Sequence, residues 1–513
     1  MKMPLLPFSL LLWLLSTSFS SLSTALPLPR GYYINCGSTE DETLGDIKWI
    51  RDEGFIKTGN ISSINSTGLI PILSSVRYFP DTSARKYCYS IPVIKGGKYL
   101  IRTTYYYGRF DGGTEPPVFD QIIEGTRWSM VNTTENFSKD LSTYYEIIVA
   151  AHSKTLSVCL ARNKATVSSP FISALELVNL DDSMYNSTNF MSYALTTVAR
   201  NGFGQNGSII SYPDDPYNRY WAPFTDGNPT ADCHARISSS NFWNYPPAVA
   251  LSSAITTSRG KQLTIQWPPA SLQNGTYYVA LYFQDNRTPS PWSWRILDVS
   301  INGMEFFKGL NVSTEGVMIY ATQLQLSGNT QITLNPDENA SVGPMINAGE
   351  ILQIVPLGPK TTTRDVIAME DLARSLTNPP SDWNGDPCSP HGNSWTGVVC
   401  STHDNRVESL NLTNAGLSGF LPSEIANMTA LQNIQLSGNN LSGPIPDMSN
   451  LKNLVTLHLD NNQFSGSIPS SLGGLENLKE LFLQNNKLSG KIPDNLKNKF
   501  GLNMQTSGNN LEP

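Results

Sequence analysis

Between residues 97 and 355 the chain alternates apolar and polar positions in short runs, such as YLIRTTYY, YYEIIVA, LTIQW, YYVALYF and QITL, separated by Gly, Pro and Asn. Period-two alternation puts apolar side chains on one face of a pleated strand, so these runs predict antiparallel strands that bury one face each. The period changes further on. In TTTRDVIAMEDLARSL the residues Val366, Met369, Ala373 and Leu376 recur at helical spacing, Arg364 and Asp365 stand near the start, and Pro379-Pro380 stops the run. At the other end of the chain, the apolar run Leu5–Leu15 follows a single early lysine and precedes the small residues Ser23-Thr24-Ala25. That run is about half the ~20 residues needed to span a bilayer. It reads as a secretory signal peptide over residues 1–25. No later stretch reaches spanning length.

Two repeats organise the rest. LQNIQLSGNNLSGPIP, LVTLHLDNNQFSGSIP and LKELFLQNNKLSGKIP share the pattern LxxLxLxxNxxSGxIP, with Leu436, Leu459 and Leu483 in register. An earlier copy holds Leu412, with Ala415 in place of the ladder Asn, and a degenerate last copy puts Thr506 in register. This is a leucine-rich repeat: each unit has an apolar edge that only stacking buries, and the Asn side chains are expected to bond neighbouring backbone. The second repeat is longer. GKYLIRTTYYYGRFDGG from Gly97 parallels GTYYVALYFQDNRTPS from Gly275, and VFDQIIEGTRW parallels ILDVSINGMEF. SPFISALEL parallels GPMINAGEI, matching Pro170, Ala174 and Glu176 to Pro344, Ala348 and Glu350. Tandem copies of one β-rich domain follow, with two sandwiches side by side.

Composition narrows the chemistry. Charged residues make up 15% and the net charge is −7 with no basic block, which disfavours nucleic acid as a partner. The acidic residues near aromatics (Asp111, Asp120, Asp214, Asp215, Asp285, Asp298) form no catalytic motif, and His152, His234, His391, His403 and His458 show no ligand spacing, so no cofactor or metal is expected. In a secreted chain cysteines should be paired. Cys388 and Cys400 lie close together in WNGDPCSPHGNSWTGVVC and are expected to bridge. Cys36, Cys88, Cys159 and Cys233 allow three pairings; Cys88 and Cys159, both in strand-like runs, are favoured over the others, with buried free thiols as the alternative. Sequons at Asn60, Asn65, Asn132, Asn136, Asn186, Asn206, Asn274, Asn286, Asn311, Asn339, Asn411, Asn427 and Asn440 predict a heavily glycosylated surface.

CGSTEDETLGDIKWIRD near the start, the paired sandwich copies, the GDPC tetrapeptide Gly385–Cys388 and the short solenoid occur in an order that resembles the ectodomain of plant malectin-like leucine-rich-repeat receptor kinases. The resemblance implies a mainly β fold: malectin-like lobes at 31–180 and 190–357, a repeat cap with a helix at 358–404, and leucine-rich repeats at 405–513. It also implies a non-catalytic region that binds a glycan or a peptide and docks a co-receptor ectodomain, at the extracellular face of a membrane receptor. The family continues into a transmembrane helix and a Ser/Thr kinase; this sequence holds no glycine-rich ATP loop, HRD or DFG. A secreted decoy, a leucine-rich-repeat inhibitor and, remotely, a glycosidase are the alternatives. Malectin stacks sugars on rings, and the matching strand ends here are Tyr105, Tyr106, Tyr107, Phe110 and Asp111 in the first copy and Tyr282, Phe283 and Asp285 in the second. Core filling is the competing role for each ring. A second aromatic group, Tyr217, Tyr220, Trp221, Phe224, Phe242, Trp243 and Tyr245, suits a cleft between the lobes or plain inter-lobe packing. On the concave solenoid face the repeat register points Gln435, His458, Asp460, Glu480, Phe482 and Gln484 at a partner, with Phe482 as the aromatic anchor.

Overall fold

The computed structural model describes residues 28–232, 242–285 and 294–512. The expected signal peptide, Cys233 and the Asn286 sequon lie outside them. In the first lobe the strand Lys98–Tyr105 runs between Ala174–Asn179 and Thr143–Ala150. In the second, Leu272–Phe283 runs between Ala348–Pro356 and Val317–Gly328. These are the segments that the long sequence repeat matches. A four-stranded sheet faces each: Tyr87–Pro92, Thr155–Arg162, Phe119–Ile123 and Thr126–Val131 in the first lobe, and Leu263–Gln266, Gln331–Pro336, Ile296–Ile301 and Met304–Asn311 in the second. Alternation is satisfied by apolar positions such as Ile101, Ile147 and Leu177, all 0% exposed, turned into the sandwich. Cys88 and Cys159 sit opposite each other on paired strands and form a disulfide, while Cys36 is a buried free thiol.

The sandwiches are more than neighbours. Thr143–Ala150 of the first lobe pairs with Tyr193–Phe203 of the second through Ile147↔Thr196 and Ile148↔Leu195, which merges both inner sheets into one of eleven strands. A row of buried charge crosses that seam on one face. Arg102 bonds Glu176 (2.8 Å) and Glu146 (2.9 Å); Glu146 also holds Arg200 (2.5 Å), and Arg200 holds Glu350 (2.7 Å). The segment that follows covers the row. Arg219 pairs with Asp215 at 2.8 Å, Trp221 donates to the same carboxylate, and Tyr185 and Tyr282 donate their hydroxyls to Glu350. The Arg102 guanidinium lies 3.4 Å from the centre of the Tyr220 ring. Thus most of the second aromatic group packs between the lobes: Trp221 and Phe242 are buried, whereas Trp243 stays 56% exposed.

Electrostatics divides the carboxyls. Burial alone would push Glu146 up, but Arg200 and Arg102 outweigh it and hold its carboxyl down at about 2. Glu176 has only Arg102 and the Asn218 amide against burial and the neighbouring Glu146, and its carboxyl is raised.

The solenoid stacks two parallel sheets. One runs through Val407–Asn411, Asn433–Gln435, Thr456–His458, Glu480–Phe482 and Asn503–Gln505, with Val398–Cys400 antiparallel at its start. The other, which the repeat pattern does not announce, is built from the SGxIP segments between Ser418 and Glu512. Register leucines Leu436, Leu459 and Leu483 are at most 1% exposed. The Asn ladder is explicit: Asn462 Nδ2 donates to the carbonyls of Leu436 (2.9 Å) and Leu459 (3.1 Å), and its Oδ1 accepts from Leu441 N (3.0 Å). Asn439 and Asn486 repeat this.

The cap helix spans Thr363–Ser375 and buries Asp365, Ala368, Met369 and Leu372. Val366 and Ala373, expected on the inner face, are only half-buried. The cause is Asp365, drawn inward to pair with Arg406 (2.8 Å) and to accept from Val407 N (3.0 Å), which turns the helix away from the simple apolar face. Among the described residues no helix is long and apolar enough to cross a membrane.

GDPC joins cap to lobe. Cys388 is bridged to Cys400 as expected. Gly385 has φ +69°, and a Cβ there would lie 3.0 Å from Cys88 Sγ and 3.3 Å from Cys159 Sγ, so the glycine lets the loop rest on the lobe's own disulfide. Asp386 accepts from the amides of Thr361, Cys388 and Ser389. Lys86, with 1% exposure, donates to the carbonyls of Asp386 (2.5 Å) and Ser389 (2.8 Å). Burial pushes the Lys86 ammonium down to about 8 against the pull of Asp386 and Asp382.

Three outcomes are expected. Glu146→Gln removes the carboxylate that two buried guanidiniums share and should cost about 3–5 kcal/mol, whereas Glu176→Gln, at a carboxyl that burial already favours neutral, should cost less than half as much. Because Glu146 charges near 2 in the folded chain, against an ordinary ~4.3, its stabilisation is complete above that ordinary value and is lost only as pH falls toward 2. Denaturant midpoints for the two variants across pH check both statements; equal losses would contradict the division. Gly385→Ala forces a side chain into left-handed backbone at about 1–2 kcal/mol and against the disulfide. It should speed limited proteolysis around 379–397 while both disulfides stay formed.

Candidate functional site

At the strand ends the rings mostly serve the core. Tyr105, Tyr282 and Phe283 are 0% exposed. The Tyr105 hydroxyl donates to Gln121 Oε1 (2.8 Å) and that of Tyr282 to Glu350 Oε2 (3.1 Å). Tyr107 is buried, donating to Asp111 Oδ1 at 2.6 Å, and Asp285 is buried beside Arg295. These residues therefore present no ring face to a sugar, and the expected stacking platform is corrected at Tyr105, Tyr107, Tyr282 and Phe283. The reason is topological: the loops at 107–113 and 168–171 fold over the first strand end and bring Phe110 and Phe171 onto its rings, and Phe119 meets them from the facing sheet.

Tyr106 is placed differently. Its hydroxyl donates to Asp140 Oδ1 (2.6 Å), and its edge lines a cavity of about 650 Å³ with Asn65, Arg109, Lys139 and Asp140. Phe110 is half-buried against Tyr78 and Phe171. Asp111 is exposed; burial of its local pocket is outweighed by the hydroxyls of Ser168 and Tyr107 and the Gly113 amide, and its carboxyl lies below the ordinary value. The strand end thus offers a small polar hollow with two cations and a carboxylate, rather than an aromatic wall.

The concave solenoid face carries Gln435, His458, Glu480, Phe482 and Gln484 half-buried and Asp460 buried. Phe482, the expected aromatic anchor, is half-buried and does not stand alone. His458 stacks on it at 4.1 Å with planes 6° apart, and His458 Nε2 meets Glu480 Oε2 at 3.0 Å. Asp460 is occupied within the sheet, accepting from Ser437 Oγ and Asn461 Nδ2 at 2.6 Å each. The Asn411 sequon is exposed at the cap end of this face. Of the other described sequon asparagines all are exposed except Asn136, which is half-buried with Nδ2 bonded to Ser142 O and Thr143 Oγ1.

One cleft had no local sequence signal. It opens between the first lobe and the cap, holds about 840 Å³, and is lined by Phe55, Lys57 and Ser90 on one side and Glu370, Arg374 and Trp383 on the other. Trp383 stacks on Trp395 at 5.3 Å as its floor. Its walls lie some three hundred positions apart in the chain, so only the folded joint reveals it.

The family model for the malectin-like domain matches residues 34–354, and the leucine-rich-repeat model matches 430–451, 453–475 and 477–499. A probable leucine-rich-repeat receptor-like serine/threonine-protein kinase of Arabidopsis thaliana is 32% identical over 467 residues, covering 83% of this chain and 47% of that protein. A second, putative kinase of this kind from the same plant is 30% identical over 422 residues, covering 78% and 46%. The chain spans just under half the length of these curated relatives. Among solved structures the ANX2 ectodomain of Arabidopsis thaliana superposes with a TM-score of 0.53 at 16% identity, over 64% of this chain and 97% of that one. The plant peptide RALF23 in complex with FER and LLG2 gives 0.51 at 17%, over 64% and 96%. At that identity the likeness is one of fold. With the malectin-like match running through both sandwiches and the repeats following them, the chain belongs to the malectin-like domain family, joined to leucine-rich repeats.

Proposed function

We propose that this chain is the extracellular recognition region of a cell-surface receptor: the malectin-like lobes take a glycan or a peptide, and the concave solenoid face docks a co-receptor ectodomain. The observation that carries the reading is the joint. Lys86, Asn384 and Gly385 fix lobe and cap together, so a ligand-sized hollow and a partner-sized face belong to one body. Binding at the first can then orient the second without any chemistry in this chain; phosphoryl transfer in this reading belongs to the part of the relatives that the chain does not span. The FER structure, in which a peptide and a second protein are bound, supports ligand and partner classes of this kind.

Within that reading the ligand hollow is the one beside Tyr106, with Arg109 and Lys139 to meet acceptors and Asp140 to meet hydroxyls. Phe482 with its stacked His458, flanked by Gln435, Glu480 and Gln484, anchors the partner. The purified chain should bind saturably on an array of wall oligosaccharides and secreted plant peptides, and Arg109→Ala should weaken that binding about tenfold or more. Phe482→Ala should leave ligand binding intact and abolish recruitment of leucine-rich-repeat ectodomains from a panel. Silence on both arrays, or loss of ligand binding on Phe482→Ala, would overturn the assignment.

A further inference from the structure

Several sheet edges in the two lobes carry guards against stray pairing. The Glu42–Leu44 edge stands beside the Asp41–Lys48 ion pair, and Asn60–Ser63 opens on a sequon. The cap covers Tyr87–Pro92, with Asn384 Nδ2 donating to Cys88 O at 3.1 Å, and Met304–Asn311 holds Glu305 and Lys308. Among the described residues the strand Val317–Gly328 closes the eleven-stranded sheet, and it has no charged residue and no proline. Its pairing is regular from Val317↔Phe283 to Ala321↔Val279, and a bulge follows, so the regular edge is Val317–Ala321.

That edge has a furnished lip. Val317 and Ile319 turn into the second lobe's core, while Met318 and Tyr320 take the other face. Tyr320 is 37% exposed, stacks on Tyr278 at 6.0 Å and lies 5.6 Å from the ring of Trp243, the residue of the inter-lobe aromatic group that stays exposed.

We infer that Val317–Ala321 receives an extended peptide by strand addition, its main chain completing the sheet and an apolar side chain resting on Trp243 and Tyr320. The inference adds a peptide site on the second lobe to the Tyr106 hollow of the function proposed above, and it rests on the peptide half of that reading. A second copy of this chain is the poorer occupant. The edge is roughly 17 Å long at ~3.4 Å per residue, and a contact confined to it falls short of the ~1,200 Å² that a stable interface buries. Exposed sequons lie on neighbouring segments, Asn274 on the strand Leu272–Phe283 that pairs with this one and Asn311 six residues before Val317, and glycans there would crowd a second body more than a single strand. With no charge on the edge, the occupant needs alternating apolar side chains rather than ion-pair partners.

The probe is a capped seven-residue synthetic peptide alternating Phe and Thr, with two versions N-methylated at alternate positions. The parent peptide should slow amide exchange at 317–321. One methylated version should lose binding by about a hundredfold, because strand pairing uses every second amide. Trp243→Ala, at an exposed position and checked by thermal melt, should weaken the parent by about tenfold. Equal binding of all three peptides, or no protection at 317–321, would overturn the inference. Secreted peptides that bind with protection elsewhere would remove the edge site and leave the peptide reading standing; protection by the probe with silence from every secreted peptide would do the reverse.

Discussion

The row Glu176–Arg102–Glu146–Arg200–Glu350 is the constraint on which the rest of the molecule depends. Ion pairs of this burial are seldom a net source of stability, because desolvation of each partner is costly. What they supply is uniqueness. Each guanidinium in the row is shared between two carboxylates on different strands, and a slip of one residue at the seam would turn the set to the opposite face. Among the described residues two pairs join the lobes through backbone register, yet the row crosses the same seam, and Arg219, Tyr185 and Trp221 close over it. The lobes are thereby held in one relation.

That relation extends through the GDPC loop into the solenoid. A disulfide within the lobe, a glycine able to lie on it and a buried lysine that caps the loop's carbonyls make a joint from short-range contacts. The molecule is then a rigid bracket with a polar hollow on one arm and a stacked His–Phe pair on the other.

Much of this was legible in the chain. The leucine register and the Asn ladder follow from spacing alone, since each repeat contacts only its neighbours. Glu176 and Glu350 stood out as matched positions of the long repeat, but Arg102, Glu146 and Arg200 gave no signal, because their meeting depends on strand order across two lobes. The strand-end tyrosines misled for a related reason: alternation says which side chains share a face, and is silent on what covers that face. At Tyr105 and Tyr282 other layers do; at Trp243 nothing in the described residues does. The cap helix was offset by one buried acid, Asp365, whose partner Arg406 lies beyond the bridged cap segment.

The central claim is rigidity across both junctions. Spin labels on cysteines replacing exposed Lys164, Lys308 and Lys452, taken two at a time, measure first lobe to second lobe and first lobe to solenoid directly. A molecule rigid at both junctions gives one narrow distance distribution for each pair, unchanged between pH 5 and 7. Broad or two-peaked distributions in the intact chain would show that neither the ionic row nor the GDPC joint holds the arms in place, and would contradict the claim.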